Sequence, residues 1–188
     1  MTGQTHKHFV QLLAVDHEGV CDPTSVEGLL LGANDWVPNN QTLPVLLYRN
    51  ALACANGDAA GLFEAMFERN RWPAQWRNGI YRYHHYHSTA HEVLGIAHGW
   101  AQVVLGGPNG HEVRLEAGDV ALLPAGTGHC LIEASEEFLV VGGYPEGPQY
   151  DVCRAAPTRE QLAAITEAPF PDSDPVTGAM LASVWKRS

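Results

Sequence analysis

Basic residues are scarce in this chain: 11 Lys and Arg stand against 21 Asp and Glu, for a net charge of -10. A nucleic-acid binder needs a basic face to displace phosphate counterions, and this composition supplies none. The same sign disfavours docking on anionic lipid. The cysteines Cys21, Cys54, Cys130 and Cys153 are widely spaced and form no CxxC pair. They read as four reduced thiols of a cytosolic protein, with two bridges in a secreted protein as the alternative. No apolar run approaches a membrane span, and residues 1–20 have neither a basic n-region nor a long apolar h-region. A cytoplasmic protein acting on a small molecule, with neither nucleic-acid nor membrane partner, is the expectation.

What is present suits many short strands. With 188 residues the chain has room for one domain with a sizeable core; it is 45% hydrophobic and holds 19 Gly and 12 Pro. Phe9 to Val15 and Leu43 to Arg49 read as strands, and Leu29 to Asn40 as loop. Between Asp58 and Asn70 the period changes: Leu62, Phe63, Met66 and Phe67 share one helical face, Asp58 is the expected N-cap, and Trp72-Pro73 the stop. From Gly79 to Tyr144 seven strands are expected: 80–87, 92–98, 100–105, 111–115, 120–123, 129–133 and 138–141, with Gly107-Pro108-Asn109-Gly110 as a hairpin turn. Seven short strands in succession imply a sandwich or barrel. Thr158-x-x-Gln161 is a capping box opening a short helix, and the proline-rich Pro169–Pro175 is expected to run over the surface. Trp36, Trp72, Trp76 and Trp100 are expected to pack the extensions onto the barrel.

Ten histidines are the most unusual count. Alternation along a strand puts His85 and His87 on one face and His84 and Tyr86 on the other. Two imidazoles at i, i+2 can share an ion, and Glu92 follows far enough on to return a carboxylate from the next strand. A second block, Gly118-DVALL-Pro124-A-Gly126-TG-His129, makes two turns and ends on a histidine that a hairpin over 100–117 would fold back toward the first block.

These blocks resemble the paired motifs of the cupin superfamily, G-x5-H-x-H-x3–4-E-x6-G and G-x5-P-x-G-x2-H-x3-N. Gly79, His85, His87, Glu92, Gly99, Gly118, Pro124, Gly126 and His129 fall in place, and Glu133 stands where the pattern has asparagine. The flanking HHYHSTAHEVLG and LPAGTGH look most like a bacterial single-domain cupin subfamily. The resemblance implies an all-β fold, a double-stranded β-helix (jelly-roll barrel), usually dimeric. On that reading residues 1–188 are one cupin domain, with a barrel core over about 43–150 and short helices in extensions over about 1–42 and 151–188. It also implies one divalent transition metal, Fe, Mn, Ni, Cu or Zn, on His85, His87, Glu92 and His129.

The other candidates divide. His84 and His111 read as solvated, His98 as core or rim, and His91 as a turn residue or a partner of the ligands. Tyr81 and Tyr83 share the face of His85 and either pack the interior or line the pocket. Glu133 has the parity of His129, so it points inward as a base or stays solvated at a strand end; Cys130 should face away. Three imidazoles and one carboxylate would leave two positions on an octahedral ion for a chelating substrate. A metal-dependent enzyme on a small oxygen-rich molecule, dioxygenase-type first, is the leading expectation. A non-catalytic metabolite- or metal-binding module and a metal-dependent isomerase or lyase are the alternatives. Because imidazoles ligate only when neutral, metal binding is expected to weaken below about pH 6.

Overall fold

In the computed structural model the described residues are 7–9, 25–52, 57–147 and 149–185. Cys21, Cys54 and the strand expected over 10–15 lie outside them. The strands are β1 (Lys7–Phe9), β2 (Ser25–Leu29), β3 (Val45–Arg49), β4 (Ala74–Asn78), β5 (Glu92–His98), β6 (Trp100–Leu105), β7 (His111–Glu116), β8 (Val120–Leu123), β9 (His129–Ala134) and β10 (Leu139–Gly143). The helices are α1 (Ala59–Arg69), α2 (Arg159–Glu167) and α3 (Leu181–Val184).

All pairings are antiparallel. One sheet has the order β1-β2-β3-β8-β5-β10-β4 and the other β7-β6-β9. From β5 onward the chain winds between the sheets, with β5 in the large one, β6 and β7 in the small one, β8 in the large, β9 in the small and β10 in the large, which is the winding of a jelly roll. The Gly107–Gly110 turn, closed by Gly110 N donating to Gly107 O at 2.9 Å, joins β6 to β7 as expected.

The strands β3, β8, β5 and β10 of the large sheet are buried on both faces. Leu94, Ile96, Ala121, Leu123 and Val140 point between the sheets and meet Val103, Leu105, Val113 and Leu115. Their neighbours Val93, Ala97, Val120, Leu122 and Val141 point the other way, against Phe63, Met66 and Phe67 of α1 and against Trp72 and Trp185. That double cover explains why β5 and β8 read as unbroken apolar runs rather than alternating ones. Asp58 caps α1 as anticipated, accepting from Gly61 N at 2.9 Å. The helix buries Phe63, Met66 and Phe67 but leaves Leu62 exposed, Ala59 and Ala60 taking its place in the core.

Three expectations are corrected. Residues 80–87 are not a continuous strand; only His85 and Tyr86 bridge, to His129 and Cys153. Two strands, β2 and β4, come from stretches that carried no strand signal. The proline-rich tail is not superficial throughout: Asp174, Pro175 and Val176 are buried. Asp174 accepts the Tyr48 phenol and the amides of Val176 and Thr177, while Asn70 Nδ2 donates to the carbonyls of Pro175 and Val176. A buried carboxylate is tolerated here because hydrogen bonds satisfy it.

One glycine links fold to site. A Cβ on Gly142 of β10 would come within 2.0 Å of the Trp76 ring of β4, whereas one on Gly79 would meet nothing within 4 Å. Gly142→Ala is therefore expected to destabilise the protein by about 1–3 kcal/mol in urea denaturation. Gly79→Ala should stay within about 0.5 kcal/mol of wild type.

Candidate metal centre

The first block crosses from one sheet to the other, and the second retraces it. His85 and His129 exchange backbone hydrogen bonds (His85 N to His129 O, 3.2 Å; His129 N to His85 O, 2.9 Å), and Glu92, opening β5, sits opposite Leu123 at the end of β8. Between Leu123 and His129 the chain turns at Pro124–Gly126. Gly126, at φ +91°, donates its amide to His87 O at 2.7 Å, a backbone conformation that favours glycine. His91 holds this turn from behind, its Nδ1 accepting from Ala125 N at 2.9 Å, and packs on Trp185.

Four side chains converge at this end of the barrel, all buried: His85, His87, Glu92 and His129. One ring nitrogen from each histidine lies within 4.8 Å of the other two. Glu92 Oε2 is 3.3 Å from both His87 Nε2 and His129 Nε2. Each Nδ1 faces a main-chain carbonyl: Tyr83 O for His85 (3.1 Å), Thr127 O for His129 (3.1 Å) and Asp151 O for His87. An Nδ1–H donated to a carbonyl leaves the Nε2 lone pair aimed at the common centre, the tautomer and orientation of metal-binding imidazoles.

The carboxylate is held asymmetrically. Tyr144 donates its phenol to Glu92 Oε1 at 2.5 Å, and Trp76 Nε1 donates to the Tyr144 oxygen at 3.1 Å. Oε2, facing the histidines, is buried and takes no well-formed hydrogen bond. A buried anionic oxygen without a donor is costly, and a cation seated among the ring nitrogens removes the cost. The donor set thus fits a divalent transition metal.

Proton affinities follow from burial and charge. Burial, reinforced by His129, pushes His85 down to about 3, and burial likewise lowers His129. Burial also opposes a charge on His87, but the Glu92 carboxylate beside it outweighs that and raises its pKa. Burial disfavours the Glu92 anion, yet His87, His129 and Tyr144 together bring it down to about 2. Burial raises the Tyr144 phenol, so it remains a donor.

Beside Glu92 and the three histidines opens a cavity of about 150 Å³, bordered by Trp76, Ile80, Leu94, Tyr144, Tyr150 and Val152. Tyr81 also lines it, half exposed and stacked on Tyr83 at 4.7 Å, while Tyr83 lies outside the lining with the Arg154 guanidinium over its other face. Glu133 is exposed on β9 opposite Gln102 and is no part of the cavity. Trp76, expected to pack an extension, is a wall of it. His84 is half-buried rather than solvated, and Cys130 and Cys153 are buried free thiols. Tyr144, Tyr150 and Asp151 were not singled out by sequence. Continuing the inward parity of Val140 through Gly142 would have pointed to Tyr144; nothing marked the Asp151 carbonyl.

Sheet order and the two motif blocks together give the chain a cupin-type jelly-roll fold, and its three converging histidines fit a metal-binding cupin. It belongs to the family of the Bacillus subtilis (strain 168) protein named Uncharacterized protein YjlB, to which it is 36% identical over 153 residues, 79% of this chain and 90% of that protein. No known family profile matches the chain. Among solved structures it is similar to the 11S allergen from Cocos nucifera (13% identity, TM-score 0.33, 72% of this chain and 31% of that one). It is also similar to oxalate decarboxylase from Bacillus subtilis (16%, 0.34, 82% and 37%). A third is Streptomyces albus HEPD with 2-hydroxyethylphosphonate and Fe(II) bound (14%, 0.28, 77% and 24%). The chain spans well under two thirds of each of these solved chains.

Two outcomes are expected. Because His87 alone of the three imidazoles has a raised pKa, a metal must displace its proton, whereas His85 and His129 stay neutral to lower pH. Zinc affinity should therefore weaken as pH falls through the raised His87 pKa, at a higher pH than for an ordinary imidazole, by about tenfold per unit. Isothermal titration in buffers of different ionisation heat should show proton release on zinc binding that grows as pH is lowered through that pKa. Tyr144→Phe, freeing Oε1, should lower zinc affinity by about tenfold in a competition assay with a chromogenic chelator.

Proposed function

We propose that the chain holds one divalent transition-metal ion on His85, His87, Glu92 and His129 and works as a metal-dependent enzyme on a small oxygen-bearing molecule. Oxygen-dependent oxidation is the first chemistry to assay. The observation that carries this reading is Glu92 Oε2: buried, without a hydrogen-bond donor, and 3.3 Å from two imidazole nitrogens whose rings are fixed from behind by carbonyls. When bound there, such an ion supplies Lewis acidity and, if redox-active, electron transfer.

The protein's own contributions are separable. The Tyr83, Thr127 and Asp151 carbonyls fix ring orientation, and the Tyr144 phenol occupies Oε1 so that Oε2 is the oxygen presented. Trp76, Ile80 and Leu94 keep the space beside Glu92 apolar, which strengthens electrostatic interactions inside it. A cavity of about 150 Å³ next to the ligands gives a small molecule a place to sit, which favours an enzyme over a metal store.

His85→Ala and His129→Ala should each purify with less than a tenth of the wild-type metal by elemental analysis while keeping the wild-type circular dichroism spectrum. Unchanged metal content would sink the ligand assignment. Oxygen uptake by iron- or manganese-loaded protein on enediols, thiols and oxo-acids tests the activity. Ligand binding without turnover under any metal would make the chain a binding module instead.

A further inference from the structure

The cavity's chemistry is one-sided. Trp76, Ile80, Leu94, Tyr150 and Val152 give it an apolar and aromatic wall, Asn78 contributes its one side-chain amide, and no Lys or Arg lines it among the described residues. Arg154 is engaged over Tyr83, its guanidinium carbon 3.9 Å from the ring centroid, and is not part of the lining. Among the described residues the only charge facing the space is therefore the Glu92 carboxylate, to which a bound ion shared with three neutral imidazoles would add its own. A divalent ion and one carboxylate leave a single positive charge over. A monoanion cancels it, whereas a dianion leaves a net negative charge in an apolar pocket without a cation to pair with, which is costly.

Size narrows the choice further. A cavity near 150 Å³ admits a benzene-sized group. The ligand then has about six to ten non-hydrogen atoms, with its oxygens at the ion end and hydrocarbon against Trp76, Ile80 and Leu94.

Resting on the metal reading above, we infer that the site takes a monoanion offering two adjacent oxygens, of the α-hydroxy acid, α-keto acid or enolate class, with a single apolar or aromatic body, in preference to di- and tricarboxylates. The oxygens of the substrate are confined to its head; a molecule oxygenated along its length is a poor fit to these walls.

The test holds the chelating head constant, so that intrinsic metal affinity cancels. The full chain is loaded with cobalt(II), and its visible spectrum is titrated with 2-hydroxy-3-methylbutanoate, lactate and malate. The branched acid should bind at least tenfold more tightly than malate and several-fold more tightly than lactate. Asn78→Arg, an exposed change on β4 that adds a cation at the rim, should raise malate affinity and shrink the preference. Malate binding as tightly as the branched acid to wild-type protein overturns the inference, as does a cobalt-loaded protein whose spectrum responds to none of the three. Protein that takes up no cobalt, or His129→Ala that keeps it, overturns the metal reading instead.

Discussion

Everything at the functional end of this molecule is arranged around one buried carboxylate. Glu92 begins β5 inside the barrel, where an anion is tolerated only if each oxygen is answered. Oε1 is answered by the Tyr144 phenol, which Trp76 supports in turn. Oε2 is answered only by what the histidines can hold, a proton on His87 or a cation among the three rings. The placement of β4, β10 and the His85–His129 bridge can all be read as geometry that brings donors to this group.

The surrounding fold makes that burial affordable by being packed on both sides. Between the sheets lies the usual apolar filling of a small barrel. Outside the large sheet, α1 and the C-terminal residues around Val176, Leu181 and Trp185 add a second layer. Glu92 itself is therefore remote from solvent on the α1 side, and the cavity is its one way out among the described residues. The helix and tail line no part of the cavity, but they pack against β5 and β8 beneath it.

Much of this was legible in the sequence. Alternation at His85 and His87, the turn residues Gly118 and Pro124–Gly126, and the return of His129 gave the four converging residues, because ligand spacing and turn chemistry are local signals. The jelly roll followed from the same motif blocks. Tyr144, Asp151 and Trp76 were not legible in the same way: each acts through a tertiary contact spanning tens of residues, and Asp151 acts through its main chain, which any residue type provides. Glu133, the one departure from the motif, looked chemically suggestive by parity. At the far end of β9 it points to solvent, because β9 shifts register against β6 there.

The segment from Tyr150 to Cys153 does two jobs at once. Tyr150 and Val152 shape the mouth of the cavity, and the carbonyl between them, on Asp151, orients His87. Ser88 and Cys153 clamp the Asp151 side chain in place, and a two-residue bridge ties Cys153 to Tyr86. The shape of the mouth and the orientation of His87 thus rest on the same four residues, so a backbone shift that widened the mouth would also move the carbonyl that His87 faces.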